Sequence, residues 1–155
     1  MPYLRGEIEK VEGCLFCHKI DQDDAAEHVL YRGEHAYVTL NRFPYNNGHM
    51  MIVPYRHTGA LVDMEDPTLL EMMHLVQHAQ RFLREVYGPD GFNFGVNEGS
   101  AAGAGVAEHI HLHLVPRWQD DANYMSVIGE TRVIPQTLDE TYRIFRARFD
   151  TLDGA

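Results

Sequence analysis

The segment Glu108–Trp118, EHIHLHLVPRW, constrains this chain more than any other part of it. On a strand, alternate residues share a face. His109, His111, His113 and Val115 then point one way, while Ile110, Leu112 and Leu114 point the other way, into a core. A strand over Glu108–Pro116 puts neighbouring histidines about 6.6 Å apart, twice a rise of about 3.3 Å per residue. Imidazole nitrogens need partners when buried, so a face of three histidines is a poor core and a plausible reactive surface. Two other readings stay open: a solvated face carrying scattered histidines, and a metal site with two or three of them as ligands.

The loop before that strand, Gly99–Gly105 (GSAAGAG), favours phosphate chemistry. Its glycines permit unusual backbone angles, and such loops let successive amides approach a phosphate. A glycine loop alone is also the mark of a flexible turn. Feeding directly into a three-histidine face, it points to phosphate chemistry at an imidazole.

The rest of the chain supplies a frame for this strand. Val29–Arg32 and Ala36–Leu40 read as a hairpin around Gly33-Glu34, followed by the loop Asn41–Gly48 and a strand over His49–Pro54. Asp66-Pro67 predicts a helix start, with Asp66 as cap and Pro67 in the first turn. That helix runs to Tyr87, stops at Gly88-Pro89, and buries Leu69, Leu70, Met73, Val76, Ala79, Phe82, Leu83 and Val86. Phe92, Phe94 and Val96 alternate as in a half-buried strand. Thr137 to Glu140 has the form of a capping box, predicting a second helix to Phe149. A length of 155 residues fits one domain, residues 1–155. Hairpin strands with two helices make it α+β, with a mostly antiparallel sheet.

Charge and hydropathy narrow the partners. A net charge of -10 argues against general DNA or RNA binding, which needs a positive surface. It leaves a small anionic ligand open, because backbone amides can hold one phosphate. No apolar stretch approaches the roughly 18 residues of a membrane span, and MPYLRGEIEKVEG has no signal-peptide core. The expected setting is cytoplasmic, with no membrane partner.

The only two cysteines form Cys14-Leu15-Phe16-Cys17. In a reducing compartment this spacing suggests a metal or redox pair before a disulfide. It is the spacing of a zinc knuckle, which needs two further ligands. CLFCH also fits c-type haem attachment, which requires export. A thioredoxin-like pair and two plain buried thiols are further readings. His18, His28, His35, His74 and His78 read as surface or helix-face residues.

Asn97–Arg117, NEGSAAGAGVAEHIHLHLVPR, resembles the signature of the histidine triad superfamily, and LNRFPYNNGHMMIVPYR (40–56) is similar to that family's nucleoside-binding strand and loop. The resemblance runs from Cys14 to Phe149. The tail PRWQDDANYM most resembles the branch of the diadenosine tetraphosphate phosphorylases, close to the fragile-histidine-triad hydrolases.

This resemblance implies a nucleotidyl hydrolase or transferase acting on dinucleoside polyphosphates. It casts His111 as the nucleophile that carries the nucleotidyl group. His113 and the amides of the Gly103–Val106 loop, around Gly105 and Val106, would hold phosphate oxygens. Asn97 would contact the phosphate or leaving-group side and Asn41 the ribose, with His49 on a neighbouring strand. It also implies His57 and His109 as partners of Cys14 and Cys17 around one structural zinc, and a homodimer made by joining two sheets. One departure matters. The fragile-histidine-triad hydrolases carry a Gln four residues before the first triad histidine, where this chain has Gly105. That makes phosphate, rather than water, a plausible acceptor. A nucleotide-binding sensor with little turnover, a nucleoside phosphoramidase and a zinc hydrolase on the triad are the competing functions.

Overall fold

The computed structural model describes residues 13–119, 121 and 136–152. Five strands, β1 (Val29–Arg32), β2 (Ala36–Leu40), β3 (Met50–Pro54), β4 (Gly91–Val96) and β5 (Leu112–Arg117), form one sheet. Every pairing is antiparallel and the order is β1-β2-β3-β5-β4. Among the described residues three α-helices accompany it: α1 (Leu15–His18), the long α2 (Asp66–Tyr87) and α3 (Leu138–Phe149). This is the expected α+β architecture. The alternation of strand side chains splits the interior in two. Leu30, Val38, Leu40, Ile52, Leu112 and Leu114 face α2 and α3 in the main core. Val29, Tyr37, Met51 and Val53 face the other way and are covered by Phe16 of the N-terminal segment. That second layer explains why β2 and β3 are buried along their whole length.

Local signals behave as their chemistry requires. Gly88 ends α2 in the left-handed region at φ 56°, where a residue without Cβ has no steric cost. Thr137 and Glu140 cap α3 reciprocally, as the capping box predicts. At the start of α2 the cap is Glu65, and Asp66 already lies inside the helix. Pro67 still occupies the first turn, where a missing N–H costs nothing. The buried face of α2 is Thr68, Met72, Leu75, Val76, Ala79, Phe82 and Leu83. Leu70 and Met73, expected in the core, are exposed. They lie on the flank of the stripe, and the sheet covers only its centre. Phe94 is likewise 53% exposed on β4, because that strand is the sheet's edge.

One half-buried clamp ties helix to hairpin. The Glu71 carboxylate on α2 accepts the backbone N–H groups of Glu34 (2.8 Å), His35 (2.5 Å) and Ala36 (2.9 Å) across the β1–β2 turn. Glu71→Gln turns one acceptor oxygen into a donor facing other donors. Urea unfolding should show a loss of about 1–3 kcal/mol, the usual cost of an unsatisfied group. An unchanged midpoint would mean that the clamp contributes nothing.

Candidate active site

The strand of the histidines is shorter than its sequence suggests. β5 starts at Leu112, so His109, Ile110 and His111 lie before it, with His109 at a bend. The expected strand over Glu108–Pro116 is corrected here. The Ile110 N–H leaves the ladder and donates to the Thr58 carbonyl at 2.6 Å, so the ladder with β3 forms only from Leu112 onward. The alternation survives the correction. Ile110, Leu112 and Leu114 join the main core, while the rings of His111 and His113 stand 4.8 Å apart, centroid to centroid.

Each of the three histidines has one ring nitrogen fixed by a neighbour, and each is fixed differently. His109 Nε2 lies 2.9 Å from the Pro54 carbonyl. A carbonyl only accepts, so Nε2 carries the proton and Nδ1 is a bare lone pair. His111 Nδ1 lies 3.0 Å from the His109 carbonyl, so the proton sits on Nδ1 and Nε2 is bare. For His113 the constraint is relayed. The Tyr45 backbone N–H donates to His49 Nδ1 at 3.1 Å, which excludes a proton there. His49 Nε2–H therefore donates to His113 Nδ1, 2.9 Å away. His113 is left with its N–H at Nε2. The face thus presents a lone pair for metal at His109, a lone pair for a nucleophile at His111 and a donor at His113.

Electrostatics hold all three neutral. Burial lowers the pKa of His109 and of His111 below the ordinary imidazole range, and that of His113 to about 4. At neutral pH a bare nitrogen remains available for attack. His111 is 4% exposed and backs onto Phe16, whose ring centroid is 4.6 Å away. Phe16 is held in turn by Tyr37, whose hydroxyl donates to the Phe16 carbonyl at 2.8 Å. Phe16 sits inside the cysteine pair, and the spacing alone gave no sign that it would support a histidine.

The glycine loop lies alongside this face. Gly99 (φ 80°) and Gly103 (φ 88°) adopt left-handed angles around a 3-10 turn over Ser100–Ala102. The Gly103 amide donates to the Ser100 carbonyl, so Gly103 serves the loop's shape. Gly105 is exposed and Val106 packs beside the Phe16 cluster. A Cβ at Gly103 would lie 3.9 Å from Asn97 Nδ2, so Asn97 flanks the loop. Asn97 and His113 line one cavity of about 400 Å³. Asn41 caps its own loop, its Oδ1 accepting the Phe43 N–H at 2.9 Å, and its amide lies 3.5 Å from His49. It is therefore one histidine removed from His113. Of the tail PRWQDDANYM, Asp120 and residues 122–125 lie outside the described residues.

The four expected metal ligands come together. Ligand atoms of Cys14, Cys17, His57 and His109 all lie within 4.8 Å of one another. Cys14 Sγ to His109 Nδ1 is 3.3 Å, Cys17 Sγ to His57 Nδ1 3.3 Å and Cys17 Sγ to His109 Nδ1 3.5 Å. A tetrahedral zinc with Zn–S of about 2.3 Å and Zn–N of about 2.0–2.1 Å has S···N edges of roughly 3.5 Å. The donor set and spacing fit zinc, and the His109 tautomer leaves the required nitrogen bare. Burial and the adjacent Cys14 push the Cys17 thiol up to about 11; a cation among these sulfurs reverses that preference. His57 is exposed, so the cluster is open on one side.

Comparison with known proteins agrees with the geometry. Residues 22–120 match the family model of the HIT domain. An AP-4-A phosphorylase from Mycobacterium tuberculosis is 47% identical over 116 residues, 75% of this chain and 60% of that protein, so the chain spans well under the full length of that relative. A bis(5'-adenosyl)-triphosphatase from Saccharomyces cerevisiae is 33% identical over 94 residues, 60% of this chain and 45% of that protein. Among solved structures, a Zn-bound histidine triad family protein from Mycobacterium smegmatis superposes with a TM-score of 0.73 at 32% identity, covering 92% of this chain and 96% of that one. Among the described residues no helix is long and apolar enough to cross a membrane.

Proposed function

The chain belongs to the HIT domain family, and on that premise we propose that it transfers the nucleotidyl group of a dinucleoside polyphosphate through a covalent adduct on His111. The observation that carries the reading is the set of three fixed tautomers. His111 Nε2 attacks the α-phosphorus while its Nδ1–H stays on the His109 carbonyl. The P–N bond forms, the bridging P–O bond breaks, and the electron pair leaves on the departing nucleoside polyphosphate. His113 Nε2–H donates to the phosphoryl oxygens as charge grows, joined by amides near Gly105 and Val106. In the second step the acceptor oxygen attacks the adduct and His111 is released with its lone pair restored. Asn97 is assigned to the phosphate side and Asn41 to the ribose.

Zinc, held by Cys14, Cys17, His57 and His109, would supply a structural tie between the N-terminal segment and the peptide whose carbonyl orients His111. His109 then contributes geometry and no proton. We assign one zinc per chain. A homodimer joined through β4 is supported by the strand's position at the sheet edge and by exposed Phe94. The net charge of -10 supports a role without nucleic acid.

Gly105 in place of a side-chain donor, together with the phosphorylase relative, supports phosphate as the acceptor. Incubated with diadenosine tetraphosphate and phosphate, the protein should give ADP and ATP. AMP and ATP, formed equally without phosphate, would establish hydrolysis instead. Tight nucleotide binding without either product would favour a sensor.

A further inference from the structure

The cavity beside His113 is larger than one phosphate requires, and its walls have a definite chemistry. At about 400 Å³ it falls within the range of small-molecule sites. It reaches toward the β4 side of the histidine face, lined there by Asn93, Gly95 and Asn97 of β4 and its end and by Arg117 of β5, and is bounded at its other end by Tyr45 and Asn46 of the β2–β3 loop. Asn41 and His49 lie on the opposite side, next to β2 and β3. A nucleoside with its ribose at Asn41 and its α-phosphorus over His111 therefore sends its leaving arm toward β4.

Among the described residues, the cavity's one lining Lys or Arg is already compensated. Arg117 makes two bonds to Asp121, both 2.6 Å, and the guanidinium holds the Asp121 carboxyl far below the usual carboxylate range. The remaining Arg117 N–H groups include one donating to Asn93 Oδ1 at 2.7 Å. Such a wall offers an anionic phosphate little net attraction. It does offer a neutral heterocycle side-chain amides and an aromatic surface. The Tyr45 ring lines the cavity, is half exposed, and packs on His49 with ring centroids 4.8 Å apart and planes tilted by 32°. Base edges pair with amides and base faces with aromatic rings.

We propose that this cavity is the subsite for the leaving nucleoside of the dinucleoside polyphosphate, its base against Tyr45 and its polar edge toward Asn93. The inference rests on nucleotidyl transfer at His111. Binding energy gained in this cavity, remote from the reacting phosphorus, then serves to raise kcat/KM for the full dinucleotide. Gly95 is the site's size gate. It stands opposite His113 in the ladder, and a Cβ there meets nothing within 4 Å. The first atom of a leucine at Gly95 therefore meets open space within the chain, and on the His113 face the side chain extends toward the cavity.

The test compares two substrates that share the adenylyl half. Diadenosine tetraphosphate has a nucleoside in its leaving group, and adenosine 5'-phosphosulfate has only sulfate. Gly95→Leu should lower kcat/KM for the first by roughly tenfold or more and leave the second within about threefold. Equal losses on both, or no loss on either, overturn the subsite. Wild-type protein that cleaves neither substrate refutes nucleotidyl transfer instead, and binding then decides the subsite. With AMP saturating, added adenosine should shift the Asn93 side-chain amide resonances in wild type and not in Gly95→Leu. No shift in wild type overturns the proposal.

Discussion

His111→Asn should retain nucleotide binding and lose nearly all turnover. The substitution keeps a polar side chain of similar reach but removes the only triad nitrogen that is bare and not turned toward the cysteine pair. His109 Nδ1 faces the cysteines and His113 Nδ1 accepts from His49, so no neighbour can replace it. Losing a covalent nucleophile that acts as part of a unit costs on the order of 10⁴-fold or more in kcat. The nucleotide Kd should change by less than about threefold, a shift under 1 kcal/mol. His113→Gln should do less, about 10²–10³-fold, because it removes one donor and no bond-forming atom. The order of the two effects is the informative result. A larger loss at His113 would exchange their roles.

Removing the metal should produce the second large effect, on stability. Elemental analysis should find one zinc per chain. Chelation or Cys17→Ser should then lower stability by on the order of 4 kcal/mol, the scale associated with losing a metal or cross-link. For a chain of this length that corresponds to a Tm roughly 10 °C lower. The connection is traceable. Cys14 and Cys17 bracket Phe16, Phe16 covers the second hydrophobic cluster and backs His111, and His109 presents the carbonyl that holds His111 Nδ1. Uptake should release protons, because the metal-free Cys17 thiol is pushed up to about 11. Affinity must therefore fall as pH falls. A midpoint unmoved by chelation would show that the N-terminal segment is held by packing alone.

Much of this site is written in short-range patterns, and what escapes them depends on distant partners. The capping box of α3, the glycine stop of α2 and the β1–β2 hairpin are local devices, and each forms where the sequence places it. The triad alternation also holds, because Ile110, Leu112 and Leu114 all need the same core. The start of β5 was not legible, since the Ile110 amide is drawn off by Thr58, 52 positions earlier. Leu70 and Met73 were misplaced because an apolar stripe gives a helix's facing side but not the width of the sheet that covers it. The tautomers of His109 and His113 were beyond reach for the same reason: they are set by Pro54 and, through His49, by the Tyr45 amide, residues with no periodic relation to the histidines. Glu71, the clamp on the hairpin turn, looks in sequence like any charged residue on a helix surface.

The central claim is a covalent bond between phosphorus and His111 Nε2. Rapid quenching of wild-type protein mixed with excess diadenosine tetraphosphate, followed by peptide mass spectrometry, tests it directly. The peptide containing His109, His111 and His113 should carry one adenylyl group, and fragmentation should place it on His111. The adduct should be absent from His111→Asn. An adduct on His113, or product formed in the first turnover with the peptide unmodified at every quench time, would contradict the mechanism.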